Sequence, residues 1–170
     1  MVAHMAARLL PNATSTDGIV TNVLIEDGVV AAIGVDLQPA PDTEVTDLSG
    51  YVLLPAAVEP HAHLDKAFLA EHVINPTGDL MGAIEAMQAN HHAMDTPGII
   101  ERAERAARLM AANGYSAVRT HADLTVEHGL RSVEALVEVR RRVADLIDVE
   151  IVVLAGWPFC GAAGADTRAL

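Results

Sequence analysis

Leu54-Pro55-Ala56-Ala57-Val58-Glu59-Pro60-His61-Ala62-His63-Leu64-Asp65-Lys66-Ala67-Phe68 opens as an apolar run and closes on two histidines, an aspartate and a lysine. In a strand, alternate residues share a face and lie about 6.5 to 7 Å apart at the Cα, so His61 and His63 point the same way. Two imidazoles so placed can reach one cation. The spacing alone is weak, because 8 histidines in 170 residues give roughly 0.4 His-x-His pairs by chance. The surroundings add weight. An apolar start predicts that the pair sits at the C-terminal end of a buried strand, and the alternation, carried backwards, puts Glu59 on the histidines' face. Lys66 is the only lysine among eleven basic residues and falls directly after the motif.

Downstream, apolar runs return at Tyr115 to Val118 and at Val149 to Ala155. Between the first two runs Thr96 can cap a helix with Pro97 at its first position, and Ile99, Ala103, Ala106, Ala107 and Met110 make one apolar stripe. Its outer face carries Glu101 with Arg105 and Glu104 with Arg108 at i,i+4, the pattern of a solvated surface. A second helix, Leu130 to about Ile147, divides the same way. Strands separated by such helices predict βαβ units in a parallel sheet, as in a (β/α)₈ barrel or a doubly wound fold. On the second strand Arg119, His121 and Asp123 share a face. Glu59 and Arg119 are expected to pair in the interior, since neither charge is tolerable there alone.

Upstream, Val23 to Glu26 and Val29 to Ile33 flank Asp27-Gly28, which suits a two-residue type I′ hairpin turn. Residues 1–50 therefore read as a small all-β piece and 51–170 as the α/β part. The formal net charge of -12 and a pI near 4.9 argue against nucleic acid or an anionic membrane surface as partner. Cys160 is the one cysteine and cannot form an internal disulfide. Without a leader pattern or a membrane-length apolar run, the cytoplasm is the expected address. The other histidines, His4, His72, His91, His92 and His128, read as helix, loop or terminal residues, and Met81, Met87, Met94 and Met110 as packing.

The stretch 54–68 resembles the metal-binding strand of the amidohydrolase superfamily, in its cytosine deaminase and N-isopropylammelide hydrolase branch. Val118-Arg119-Thr120-His121-Ala122-Asp123 resembles the second strand of that branch, and the hairpin Val23 to Ile33 is similar to the β-sandwich preceding the barrel. The resemblance spans about residues 8 to 160. It implies an α/β fold holding the first three βα units of a metal-dependent (β/α)₈ barrel, preceded by strands of a small β-sandwich. It implies His61 and His63 as the first two ligands of one divalent ion, zinc or iron, with Lys66 and His121 toward a small heterocyclic substrate whose C–N bond is hydrolysed. The remaining ligands, a histidine and an aspartate, together with an acid/base glutamate, are expected beyond Leu170. The 170 residues are thus expected to be an incomplete stretch without turnover of their own; the alternative is a non-catalytic remnant or partner-dependent chain, and a homo-oligomer stays open. Gly156 stands where cytosine deaminases carry a recognition glutamine, which counts against cytosine itself.

Overall fold

The computed structural model describes residues 7–156 and 158–170; His4 and Trp157 lie outside them. Two compact units divide between Pro55 and Ala56. In the first, β1 (Arg8–Thr14), β2 (Val20–Glu26), β3 (Val29–Gly34) and β4 (Glu44–Val45) form one sheet in the order β3-β2-β1-β4. The hairpin at Asp27-Gly28 is present, with φ of 51° and 80°, the two positive angles of a type I′ turn. These strands make a single four-stranded sheet, whereas the family resemblance implies strands of a sandwich.

The second unit is built on three parallel strands, β5 (Ala57–Ala62), β6 (Tyr115–Leu124) and β7 (Asp148–Ala155), in that spatial order. The connections carry α1 (Leu80–Ala89) and α2 (Thr96–Ala112) between β5 and β6, and α3 (Arg131–Arg142) between β6 and β7; a short α4 (Ala165–Ala169) follows. Helix-bearing crossovers are what parallel pairing demands, because a tight turn cannot reverse the chain far enough. Along β6 the even residues Val118, Thr120, Ala122 and Leu124 are buried. Val118 and Ala122 pack with Ala103 and Ala107 of α2, Leu136 and Val139 of α3, and Val143, Ile147 and Val149 beyond. The odd residues, Arg119, His121 and Asp123, share the opposite face, as alternation requires.

Helix boundaries depart slightly from the sequence pattern. Asp95, not Thr96, caps α2, because its carboxylate accepts the Gly98 N–H at 3.1 Å. Arg105 leaves Glu101 for Glu71 at 3.1 Å and lies over the Phe68 ring, 3.8 Å from its centroid. Glu104 and Arg108 do pair, at 2.9 Å. The α3 helix ends at Arg142, a turn earlier than its apolar pattern suggests. Among the described residues no helix is long and apolar enough to cross a membrane.

Candidate metal and substrate site

β5 carries His61 and stops at Ala62, so His63 is the first residue past the strand and opens a 3₁₀ turn over Leu64–Lys66. The turn is pinned from below. Leu64 is buried in the helix-facing core, and its backbone N–H donates to Thr120 Oγ1 at 2.9 Å. Thr120 is wholly buried among apolar neighbours, so this bond satisfies two groups that would each be costly to leave unpaired. Pinning the turn fixes where His63 emerges.

The His61 and His63 rings lie 5.4 Å apart between centroids. His121 of β6 joins them, stacked on His61 at 4.2 Å and 5.7 Å from His63. Two imidazoles bound to one tetrahedral cation at about 2.0–2.1 Å place their centroids about 5 Å apart, so the His61 and His63 pair fits a shared ion. His121 lies too close against His61 for the same role, and its buried Nδ1 has no hydrogen-bond partner among the described residues. Among those residues no group of three or more His, Cys, Asp or Glu side chains is arranged to hold a metal.

Electrostatics favour neutral imidazole at His63, whose pKa lies below the ordinary histidine value because burial disfavours the charged ring and the Lys66 ammonium adds repulsion. Lys66 Nζ lies 3.3 Å from His63 Nδ1 and pairs with Asp65 at 3.2 Å and Asp123 at 2.9 Å. Asp65 is fully buried, and its carboxylate also accepts the Asp123 N–H at 3.4 Å. Burying a carboxylate is tolerable only with such partners. The Asp65, Lys66 and Asp123 cluster therefore ties the turn after β5 to the end of β6. Holding a cation through His63 Nε2 needs the ring proton on Nδ1, so the Lys66 contact must then yield, as its two carboxylates allow.

The expected interior pair is not formed. Arg119 pairs instead with Glu150 at 2.8 Å, and the Glu59 carboxylate accepts the His61 backbone N–H at 2.9 Å. Register is the reason. Glu59 stands opposite Val118, a residue of the other face, and the β5–β6 ladder shifts between Glu59 and Ala62, whereas Arg119 stands directly opposite Glu150. Both side chains of the Arg119 and Glu150 pair are at least half exposed, so burial never forces Arg119 to seek Glu59.

Asp65, Asp123 and Thr120 were not among the expected site residues. A signal existed for Thr120, a polar residue between the apolar Val118 and Ala122 on the even face of β6. Gly156 has its own structural cause. Its N–H donates to Leu124 O at 2.6 Å, and a Cβ there would stand 2.9 Å from that same oxygen. A glutamine at this position would require the backbone to move. His72 and His92 are exposed, and His128 follows β6 in a turn.

No family model matches the sequence. Over 146 residues it is 29% identical to pterin deaminase of Rhizobium rhizogenes (strain K84 / ATCC BAA-868), covering 82% of this chain and 32% of that enzyme. Among solved structures, N-isopropylammelide isopropylaminohydrolase from Burkholderia multivorans ATCC 17616 superposes with a TM-score of 0.75 at 26% identity, covering 97% of this chain and 41% of that one. The 5-methylcytosine deaminase of Klebsiella pneumoniae, liganded with phosphonocytosine, gives 0.78 at 26% identity, covering 95% and 39%. The chain thus spans about a third of the length of the curated relative and about two-fifths of the solved ones. These likenesses support a resemblance to the amidohydrolase superfamily, on its cytosine deaminase-like side. The three relatives named are hydrolases of C–N bonds other than peptide bonds.

Proposed function

We propose that this chain carries the first metal-ligand strand of a hydrolase or deaminase that cleaves C–N bonds of small heterocycles, with zinc or iron(II) on His61 and His63. The observation that carries the reading is the ring pair itself, 5.4 Å apart at the end of a parallel strand. Catalytic residues of α/β barrels gather at that end. A divalent cation supplies an acidified water as nucleophile. The chain's own part is to hold two imidazoles, to fix their turn through Leu64 and Thr120, and to place the Lys66 ammonium and the His121 ring beside them, toward substrate. Glu59 holds the backbone at His61.

Catalytic zinc ordinarily has three protein ligands and an open position, and two imidazoles fall short of that. Residues 1–170 alone are therefore expected to bind zinc weakly and to release no ammonia from cytosine, aminopyrimidines or aminotriazines. The test is zinc binding by calorimetry on this chain and on a His61→Ala, His63→Ala variant, with ammonia release followed in parallel. One weak site lost in the variant supports the reading. Binding that survives in the variant overturns the ligand assignment, and turnover abolished by it would show that these residues complete a site unaided.

A further inference from the structure

His61 and His63 owe their places to different supports. The turn that carries His63 is pinned through Leu64 and Thr120, whereas His61 lies on the irregular part of β5. Glu59 stands opposite Val118 and Ala62 opposite Thr120, so three steps along β5 match two along β6. One extra residue in a ladder bends the strand and re-aims its side chains. Pro60 has no N–H to give, and the His61 N–H donates at 2.9 Å to the carboxylate of Glu59. That N–H is therefore held by a side chain two residues back rather than by β6.

β6 is the opposite case. Its pairing with β7 runs unbroken from Ala117 to Leu124, with His121 opposite Val152. A side chain on so regular a ladder is fixed at its root, and the His121 ring lies against that of His61, 4.2 Å between centroids and 24° between planes. The His121 Nδ1 is buried without a hydrogen-bond partner among the described residues, so no bond from that atom steers the ring. What His121 gives His61 is a face to pack on. His61 itself is exposed, and an exposed imidazole without such a face exchanges rotamers on the picosecond to nanosecond scale.

We infer that His121 is a positioning residue, whose ring is the platform that, together with the Glu59 carboxylate at the backbone, aims His61 at the cation it shares with His63. The inference rests on the metal reading of the ring pair for its consequence and on the stacking for its geometry. Groups that orient a metal-binding imidazole from behind are worth about 10- to 100-fold in metal affinity. Stacking is a weaker restraint than a hydrogen bond to the ring, so the low end applies to His121. Shape carries the effect, and a phenyl ring at this position should serve as an imidazole does.

The test uses the 170-residue chain with isotopically labelled histidine, first without metal and then titrated with zinc. Without metal, the His61 ring protons should carry the ring-current shift of a stacked neighbour, lose it in His121→Ala and in His121→Gln, and keep it in His121→Phe. With zinc, His121→Ala and His121→Gln should each bind about tenfold more weakly than the unaltered chain, and His121→Phe within about twofold of it. Rescue by the phenyl ring and not by the amide is what a loss of fold stability or of a polar contact would not produce. Unchanged zinc affinity in His121→Ala, or rescue by Gln in place of Phe, overturns the inference. The metal-free signals judge the positioning however the metal reading fares: a shift that follows the ring at 121 upholds it, and no shift in the unaltered chain removes it. Zinc binding that survives in His61→Ala, His63→Ala removes the metal reading alone.

Discussion

The two faces of β6 obey the same alternation and do opposite work. Its even residues Val118, Thr120, Ala122 and Leu124 are buried, and Val118 and Ala122 pack against α2 and α3 and hold the unit together. Its odd residues, Arg119, His121 and Asp123, build almost nothing of the core and instead meet Glu150, the His61 ring and Lys66. Stability and chemistry are thus kept a side chain's width apart on one strand. Thr120 is the exception, a core residue whose hydroxyl anchors the turn that presents His63. The division predicts that damage to one face should leave the other largely intact, except at Thr120.

The largest effect should come from the buried face. Leu136 of α3 is fully buried within the helix-facing cluster, and Leu136→Ala is expected to cost about 2–5 kcal/mol of unfolding free energy. Urea denaturation measures that loss. Zinc affinity, taken well below the transition, should stay within experimental scatter of the unaltered chain. An equal fall in affinity would break the separation of the faces.

Thr120→Val tests the one crossing point. The change keeps the shape, removes the oxygen that accepts the Leu64 N–H, and strands that buried donor at a cost of about 1–3 kcal/mol. Here both readouts should move together: lower stability, and faster hydrogen exchange at the Leu64 amide with weaker zinc binding. Thr120→Ser should restore most of each. Recovery of stability without recovery of zinc affinity would mean that the turn is held by something other than this bond.

Alternation explains what could be read in advance. It assigned His61 and His63 to one side and Arg119, His121 and Asp123 to one face, because period two is a property of any strand. The Asp27-Gly28 turn and the Ile99, Ala103, Ala106 and Ala107 stripe were legible for equally local reasons. Register was not. Alternation says which way a side chain faces and nothing of which residue stands beside it on the next strand, so Arg119 was assigned to Glu59 when it faces Glu150. The Asp65, Lys66 and Asp123 cluster is equally non-local, since it brings together side chains from separate elements.

The smallest expected effect lies on the outer surface of α3, the farthest extreme from the site in character. Glu138 accepts from Arg141 at 2.8 Å and from Arg142 at 2.7 Å, and these two guanidinium groups push its pKa down from 4.5 to about 2. A carboxyl group whose folded pKa is depressed adds stability that is fully present above its unfolded value and is lost as pH falls through the folded one. Whatever Glu138 contributes should therefore be seen at neutral pH, decline below about pH 4.5, and be gone near pH 2. All three groups are open to solvent, so the contribution is small and should also fade in roughly 1 M salt, where screening acts within about 3 Å. Denaturation of the chain and of Glu138→Gln at neutral and acid pH checks this, the two curves converging on acidification. A difference that grows as pH falls would reverse the sign. One that persists undiminished in high salt would show that this surface pair belongs with the packed face rather than with the solvated one.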